Sequence, residues 1–445
     1  MANNVFDLAE LRKLIDEMGT VSPRPAAETA ESEALTFPPV ALAADADLAR
    51  AVPGVALVAD ALRLTAWTGE RAVTAHGLLP AADAEVACAE LGVPASRLRL
   101  VWVVAVNSGM LRILGGRASR GPLPLHLPVE ATLELWDGVV MDVLDRADEG
   151  LTGSAVIDEH LAETLATVYS VRTGVASATL VKGILQSHEV ACSPVPAELA
   201  ALAATLTADL PAALSLLEYA GLVEQSAPGR VRLTPLGVWA VRRDLLREGH
   251  DAPTAAEVEV FADLDAAALV EAIVTGQATP SVVAYWLERR SPEAAAEELV
   301  RVAARGTAGQ RGAVGTILEE LGPEAEAPVR RALDEPLMWR YAASWLHIRD
   351  LPAPTLTPDD HAWITIDSLA ALLYFADAAE AMGSFDVLEA GDDLVRLVGG
   401  MSAVEHPDAI AVLDLLAAHH AEESVAKAAR KAAMKARSFE ARKLG

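Results

Sequence analysis

The spacing of apolar residues divides the chain into regions of different predicted structure. In residues 1–20, apolar side chains recur at three- and four-residue intervals, which predicts a short amphipathic helix. Residues 21–54 are rich in Pro, Ala, Thr and Glu and show no such period. Because this composition buries little apolar surface, we expect residues 21–54 to form a disordered linker.

Residues 55–150 combine helical periods with a short alternating segment and predict a first folded domain. The stretch "ALRLTAWTGERAVTAHGLL" alternates around a turn, which favours strands. A helix is predicted from Pro80 to Gly92, and "SRLRLVWVVAVNSGMLRILGGRA" predicts a buried helix running into a strand. The stretch "PVEATLELWDGVVMDVLDRA" predicts the helix that closes this domain.

Residues 151–250 predict a second domain with a related order of elements. We expect helices near 156–170, 176–188, 196–206 and 209–220, then a hairpin and a helix at 235–248. The stretch "NSGMLRILGGRA" of the first domain parallels "EYAGLVEQSAPGRVRL" of the second. The sequence therefore predicts two units built on one pattern.

The stretches "LLEYAGLVEQ" and "RVRLTPLGVWAV" resemble winged helix-turn-helix proteins. This resemblance implies a helix that lies in the DNA major groove, followed by a hairpin that touches phosphate or the minor groove. Winged helices also serve as protein-interaction modules, so the likeness concerns the fold more than the function.

The charges of the predicted groove-reading helix argue against base recognition. Residues 208–221 contain no Lys, Arg, Asn or Gln, and they carry Asp209 and Glu218. Bases and phosphates are contacted mainly by those missing side chains, which leaves only Ser215 and Tyr219 as hydrogen-bonding groups. The candidate contacts are instead basic residues on the hairpin and on the closing helix: Arg230, Arg232, Arg242, Arg243 and Arg247.

Residues 251–445 show only helical periods. Proline recurs at predicted helix starts, where a missing N–H is tolerated, and the helices are 10 to 15 residues long with short connections. The stretch "VLDLLAAHHAEESVAKAARKAAMKARS" resembles a HEAT-type repeat. Because the prolines are unevenly spaced, a plain helical bundle remains an alternative to a repeat array. The predicted fold is mainly α, with winged-helix-like units and short β-hairpins followed by a HEAT-like array.

Charge is distributed unevenly along this acidic chain. The 445 residues include 63 acidic and 36 basic side chains, a net charge of −27 that repels phosphate polymers at long range. The acidic excess is also what a lineage with acidic, GC-rich coding habits would produce. Residues 424–445, by contrast, carry seven basic side chains and one acidic side chain.

Four of the basic residues near the C-terminus recur at three- and four-residue steps and predict one basic helix face. They are Lys427, Arg430, Lys431 and Lys435. Two interpretations stay open: the face neutralises acidic neighbours within the chain, or it contacts an acidic protein, nucleic acid or an anionic membrane.

No sequence motif indicates catalysis, a cofactor or a metal. The chain lacks a P-loop, a GxGxxG after a strand, GxSxG and HExxH, and its ten histidines are scattered. Trp339, Trp345 and Trp363 are expected either in a core or along a groove for a partner helix. Cys88 and Cys192 are too few for a disulfide framework and suit a reducing cytoplasm.

These observations predict a cytoplasmic, non-enzymatic interaction protein with no membrane span and with another protein as its partner. The alternative is a DNA-associated regulator that binds through the hairpin arginines and the basic C-terminal helix. Nucleic acid is the less favoured partner because the groove-reading helix is acidic and apolar.

Overall fold

The computed structural model describes residues 35–443, apart from 123–126, 145–151, 172, 193–195, 227–228 and 376–391. It is mainly helical, with 68% helix and 7% strand in small antiparallel sheets, so the predicted α class is confirmed at that level. The helix expected in residues 1–20 lies outside the described residues. The described chain falls into two compact units, Thr36–Ala255 and the helical region from Ala256 onward.

Within Thr36–Ala255, a short helix is followed by two series of elements in the same order: helix, strand, helix, helix, strand, strand, helix. The short helix is α1 (Asp45–Ala51). The first series is α2 (Ala56–Thr68), β1 (Arg71–Ala72), α3 (Ala81–Leu91), α4 (Ala95–Asn107), β2 (Leu111–Leu114), β3 (Arg117–Arg120) and α5 (Val129–Leu144).

The second series begins with a first helix that is broken in two. It comprises α6 (Ala155–Glu159), α7 (Leu161–Ser170), β4 (Val175–Ala176), α8 (Ser177–Cys192), α9 (Pro196–Tyr219), β5 (Val223–Ser226), β6 (Arg230–Leu233) and α10 (Pro235–Arg247). Each series forms a three-stranded antiparallel sheet with its last strand in the middle, in the orders β1-β3-β2 and β4-β6-β5. The internal parallel predicted from the sequence is therefore present in the fold.

Glycines make the β2–β3 hairpin possible. Gly115 and Gly116 connect β2 to β3 with φ of 56° and 74°. Two successive residues with positive φ are what a two-residue hairpin turn requires, and glycine adopts them without a steric penalty. Gly109 and Gly221 end the helices before the hairpins with φ of 75° and 76°.

Two expectations about local structure need correction. The stretch expected to alternate as strands, residues 61–79, is helical as far as Thr68, because the buried residues of α2 follow a helical period. Only Arg71–Ala72 is strand there. The helices expected at 196–206 and 209–220 are one helix that continues through Pro211, because a continuous buried stripe from Leu206 to Leu217 outweighs the cost of the proline.

The expected linker also ends earlier than predicted. Phe37 and Val40 are buried in the core, and Phe37 N–H donates to the Asp251 carbonyl at 2.7 Å. Residues 36–54 thus belong to the folded unit, because their few apolar side chains pack into the core of that unit. Residues 21–34 lie outside the described part of the chain.

The two series share one hydrophobic core that extends from Phe37 to Ala252. The Trp136 indole N–H of the first series donates to the Leu236 carbonyl of the second at 3.3 Å. The sequence analysis expected separate domains at 55–150 and 151–250, whereas the structure places both within the single unit Thr36–Ala255.

The region from residue 255 onward is helical throughout its described part. Its helices are α11 (Ala255–Glu259), α12 (Ala266–Val274), α13 (Pro280–Glu288), α14 (Pro292–Ala303), α15 (Ala308–Leu321), α16 (Glu326–Arg331), α17 (Trp339–Ile348), α18 (Pro358–Leu372), α19 (Asp392–Met401), α20 (Ala409–His419) and α21 (Glu423–Lys443).

Helix starts in this region follow the capping rules. Pro280, Pro292 and Pro358 occupy first-turn positions as expected. Thr307 and Thr357 form capping boxes with the third residue of α15 and α18. The helices enclose one hydrophobic core between Val258 and Leu346 and another that is formed mainly by α18 to α21. Trp345 and Trp363 are buried, in agreement with a core role.

Candidate functional site

The hairpin arginines predicted as partner contacts both bind within the chain. Arg230 lies on β6 and donates a hydrogen bond to the Gly174 carbonyl at 2.6 Å. Arg232, on the same strand, forms an ion pair with Glu224 of β5 at 2.6 Å. A phosphate arriving at this hairpin would therefore compete with an acidic side chain already in place.

The three arginines of the closing helix α10 are also engaged. Arg242 donates to the Ala252 carbonyl at 2.8 Å. Arg243 lies 3.1 Å from Asp137 of α5, and Arg247 forms an ion pair with the same carboxylate. Arg243 and Arg247 thus join the two series of elements to each other, and Arg242 holds the segment that follows α10, which makes the first role of all three structural.

Helix α9, which contains the segment predicted from the sequence to read the groove, is partly covered by the first series. Ser215 accepts a hydrogen bond from Arg97 of α4 at 3.1 Å, and the Arg97 guanidinium lies 4.3 Å from the centre of the Tyr219 ring. The Tyr219 hydroxyl donates to Asp60 of α2 at 2.7 Å. Burial, together with this hydrogen bond to a carboxylate, raises the pKa of Tyr219 far above its ordinary value. The two side chains of α9 that the sequence left available for DNA are thus used inside the unit.

The C-terminal helix α21 presents an exposed basic face. Its opposite side packs against α19 and α20 through small apolar residues: Val425, Ala426, Ala429, Ala432, Ala433 and Ala436. Lys427, Lys431 and Lys435 follow one another at four-residue intervals on the solvent side. The alanines allow close packing, and the lysines are consequently left to face outward.

The lysines of α21 differ from its arginines in their partners. Arg430 forms an ion pair with Glu423 at 2.5 Å, and Arg437 pairs with an acidic side chain of α20. Among the residues that the structure describes, no carboxylate lies within 4.0 Å of the ammonium groups of Lys427, Lys431 or Lys435. Of the nine predicted contacts, these three lysines are the ones for which the described chain shows neither an ion pair nor a hydrogen bond to a carbonyl.

Two large apolar side chains share the solvent side of α21 with the lysines. Met434 is 69% exposed and Phe439 is 43% exposed. Their positions along the helix place them beside the lysine row, and the Lys435 ammonium lies 5.7 Å from the Phe439 ring centre. The face therefore offers both positive charge and apolar contact area.

A buried charge cluster lies in the helical region. Asp367 of α18 is fully buried and forms a two-point ion pair with Arg311 of α15. It also accepts from the Tyr341 hydroxyl at 2.7 Å and from the His406 Nε2–H at 2.9 Å. The His406 Nδ1 accepts a hydrogen bond from the Asp408 N–H at 3.0 Å.

Opposing influences set the protonation state of this cluster. Burial alone would raise the pKa of Asp367, but the Arg311 charge and the hydrogen bonds from Arg311, His406 and Tyr341 outweigh burial and lower it. Burial and the neighbouring carboxylate raise the pKa of Tyr341 well above its ordinary value. The cluster therefore holds a buried ion pair beside a neutral phenol, an arrangement suited to fixing helix positions.

Sequence reasoning missed this cluster because its members are far apart in the chain. His406 is 39 residues from Asp367, and Arg311 is 56 residues away. The sequence did contain a local signal. Polar residues, Asp367 among them, occupy positions on the side of α18 that is buried. A cavity of about 50 Å³ adjoins the cluster and is lined mainly by apolar side chains together with Tyr341 and Trp345.

One described helical segment, Glu198–Tyr219, is long and apolar enough to cross a membrane by length and composition alone. Core helices of soluble proteins pass the same test. Leu206, Leu210, Leu214 and Leu217 of this segment are buried within the protein.

Comparisons with known proteins found no relative of this chain. No protein-family model matches the chain, no curated protein is similar to it at a significant level, and no solved structure matches it.

Proposed function

We propose that this chain is a non-enzymatic, cytoplasmic interaction protein that binds an acidic protein partner through the exposed face of α21. The observation that carries the proposal is the difference in pairing among its basic residues. Lys427, Lys431 and Lys435 have no carboxylate within ion-pair distance in the described chain, whereas the arginines of the hairpin and of α10 have internal partners.

The chemistry of the face favours a protein over a purely electrostatic ligand. Exposed lysines attract an acidic surface, and exposed Met434 and Phe439 add apolar contact beside them. Interfaces gain most of their stability from such apolar anchors, while the surrounding charges steer the encounter and set specificity. The order of elements in Thr36–Ala255 supports a winged-helix-like scaffold, and we propose HEAT-like packing for the helices that follow.

The test compares three full-length proteins in pull-downs from nuclease-treated extract of the native host. The first is the wild type, and the second carries Lys427→Glu, Lys431→Glu and Lys435→Glu. The third is a matched control of equal net charge with Arg120→Glu, Lys182→Glu and Arg305→Glu, which alters three exposed cations elsewhere.

We expect mass spectrometry to identify acidic proteins that the wild type and the control retain and the α21 variant loses. The leading one, purified, should bind with a dissociation constant at least about tenfold weaker for the α21 variant, about 1.4 kcal/mol. Equal capture by all three proteins would remove the support for this face as the interface.

The second candidate function is a DNA-associated regulator that uses the hairpin arginines and α21. The observation in its favour is the repeated helix-strand-helix-helix-strand-strand order, which DNA-binding winged helices share. Duplex DNA titrated across a salt series separates the two proposals. Contact by three lysines alone gives a slope of about −2.7 in log K against log salt, and weak binding at physiological salt. A steeper slope for the wild type, which becomes shallower in an Arg230→Ala/Arg232→Ala variant, would favour the regulator instead.

A further inference from the structure

Two histidines and a glutamate from separate helices meet in the second series of Thr36–Ala255. His160 lies at the junction of α6 and α7, Glu159 precedes it, and His188 lies on α8. One ligand atom from each of the three lies within 4.8 Å of the other two. The imidazole rings are nearly perpendicular, at 88°, with their centres 6.0 Å apart.

The His160 imidazole is buried without hydrogen-bond partners. The residue is 4% exposed, and neither ring nitrogen has a hydrogen-bond partner in the described part of the protein. The nearest carboxylate oxygen, from Glu163, lies 3.5 Å from Nδ1, beyond ordinary hydrogen-bond distance. The His188 Nδ1 is also buried and has no hydrogen-bond partner there. Buried polar atoms are nearly always satisfied, so two such rings beside each other point to a ligand that bonds to nitrogen.

We infer that Glu159, His160 and His188 form a binding site for a divalent transition metal of the zinc class. Two imidazoles and one carboxylate are a donor set that Zn²⁺ accepts, with metal–ligand distances of about 2.0–2.2 Å. Tetrahedral geometry then requires the ligand atoms to be about 3.4 Å apart, which side-chain rotation reaches from separations under 4.8 Å. Hard cations such as Mg²⁺ and Ca²⁺ prefer all-oxygen sites and do not suit this set.

The position of the ligands gives the site a structural consequence. His160 precedes α7 and His188 belongs to α8, so a bound metal ties the first helix of the second series to the second helix. Exposed Glu163 lies close enough to His160 to supply a fourth ligand or to orient the ring. The inference does not depend on the proposed protein partner, because the site and the exposed face of α21 have no residue in common.

The histidines are 28 positions apart in sequence, and no spacing motif connects them. The sequence analysis accordingly expected no metal ligand. Only the packing of α7 against α8 brings the two rings together.

The test uses the full-length, tag-free protein stripped of metal by a chelator and titrated with Zn²⁺ and with Co²⁺. We expect one equivalent bound per chain, a visible Co²⁺ spectrum of the tetrahedral type, and a higher melting temperature in the presence of metal. The variants are Glu159→Gln and His188→Gln, whose side chains are exposed and half-buried, and the control is His76→Gln at an exposed histidine of the same unit.

Loss of a ligand should weaken binding by at least about 100-fold for His188→Gln and about tenfold for Glu159→Gln, with no change for His76→Gln. If His188→Gln does not fold, Glu159→Gln carries the same test. Substoichiometric binding by the wild type, or binding that Glu159→Gln and His188→Gln leave within threefold of the wild type, would overturn the site.

Discussion

At the scale of single residues, Asp367 is a buried carboxylate that three other side chains of the helical region use as their hydrogen-bond acceptor. It satisfies Arg311, Tyr341 and His406 at once, in a place without access to solvent. Removing one member of a buried ion pair leaves the other charge uncompensated, which costs far more than the intact pair contributes.

We therefore expect Asp367→Asn to lower the free energy of unfolding of this region by about 3–5 kcal/mol. Asp414→Asn breaks the half-exposed pair with Arg437 and should cost under about 1 kcal/mol. Hydrogen-exchange mass spectrometry of peptides from α15 and α18 in increasing urea measures this region separately from the rest of the chain. Equal losses in the two variants would contradict a central role for Asp367.

The lowered pKa of Asp367 also predicts the pH dependence of stability. A carboxyl whose pKa is lower in the folded state than in the unfolded state stabilises the fold above the unfolded value, about 3.9. That stabilisation is lost as the pH falls through the folded-state pKa. Urea midpoints measured from pH 6 downward should therefore drop more steeply below about pH 4 for the wild type than for Asp367→Asn. Parallel curves would show that another group controls acid unfolding.

At the scale of elements, a glycine determines how the β5–β6 hairpin meets the helix that follows it. A Cβ on Gly237, in the first turn of α10, would lie 2.0 Å from the Leu222 carbonyl oxygen. Because the obstructing atom belongs to the backbone just before β5, a side chain there forces the helix away from the sheet.

Gly237→Ala is expected to destabilise the unit Thr36–Ala255 by about 1–3 kcal/mol, the range for overpacking. The matched substitution Gly138→Ala lies inside α5 with no atom within 4 Å of the new methyl group. It should stabilise the unit by about 0.4–1 kcal/mol, because alanine favours the helix. Thermal unfolding followed by circular dichroism measures the stability of both variants. A Gly237→Ala variant as stable as the wild type would show that α10 can move off the sheet.

At the scale of the whole molecule, the two related series depend on each other. Tyr219 binds Asp60, Trp136 binds the Leu236 carbonyl, and Arg243 and Arg247 both reach Asp137. All these contacts cross from one series to the other, and one core runs through both.

We accordingly expect a fragment of residues 36–255 to be soluble and to unfold cooperatively. A fragment of residues 36–150 exposes the core surface that the second series covers, and should show weak helicity and a broad melting transition. Circular dichroism and size-exclusion chromatography of the two fragments decide this. A cooperative transition in the shorter fragment would support the sequence-based prediction of a separate domain that ends at residue 150.

The sequence by itself determined the helical character of the protein, several helix starts, the parallel between the two hairpins and the basic row on α21. These are local properties, set by the spacing of apolar residues, by capping residues and by glycines at turns. The sequence misjudged α2 and the break in α9, since tertiary burial outweighed local propensity at both places.

Only the tertiary structure decided which charges are available and which polar groups meet. The arginines of the hairpin and of α10 looked free in sequence, but their partners come from loops, a strand and a helix at other places in the chain. Asp367 with Arg311, and His160 with His188, are separated by tens of residues that carry no motif. Contacts at such separations arise from the packing of whole helices, and no local spacing records them.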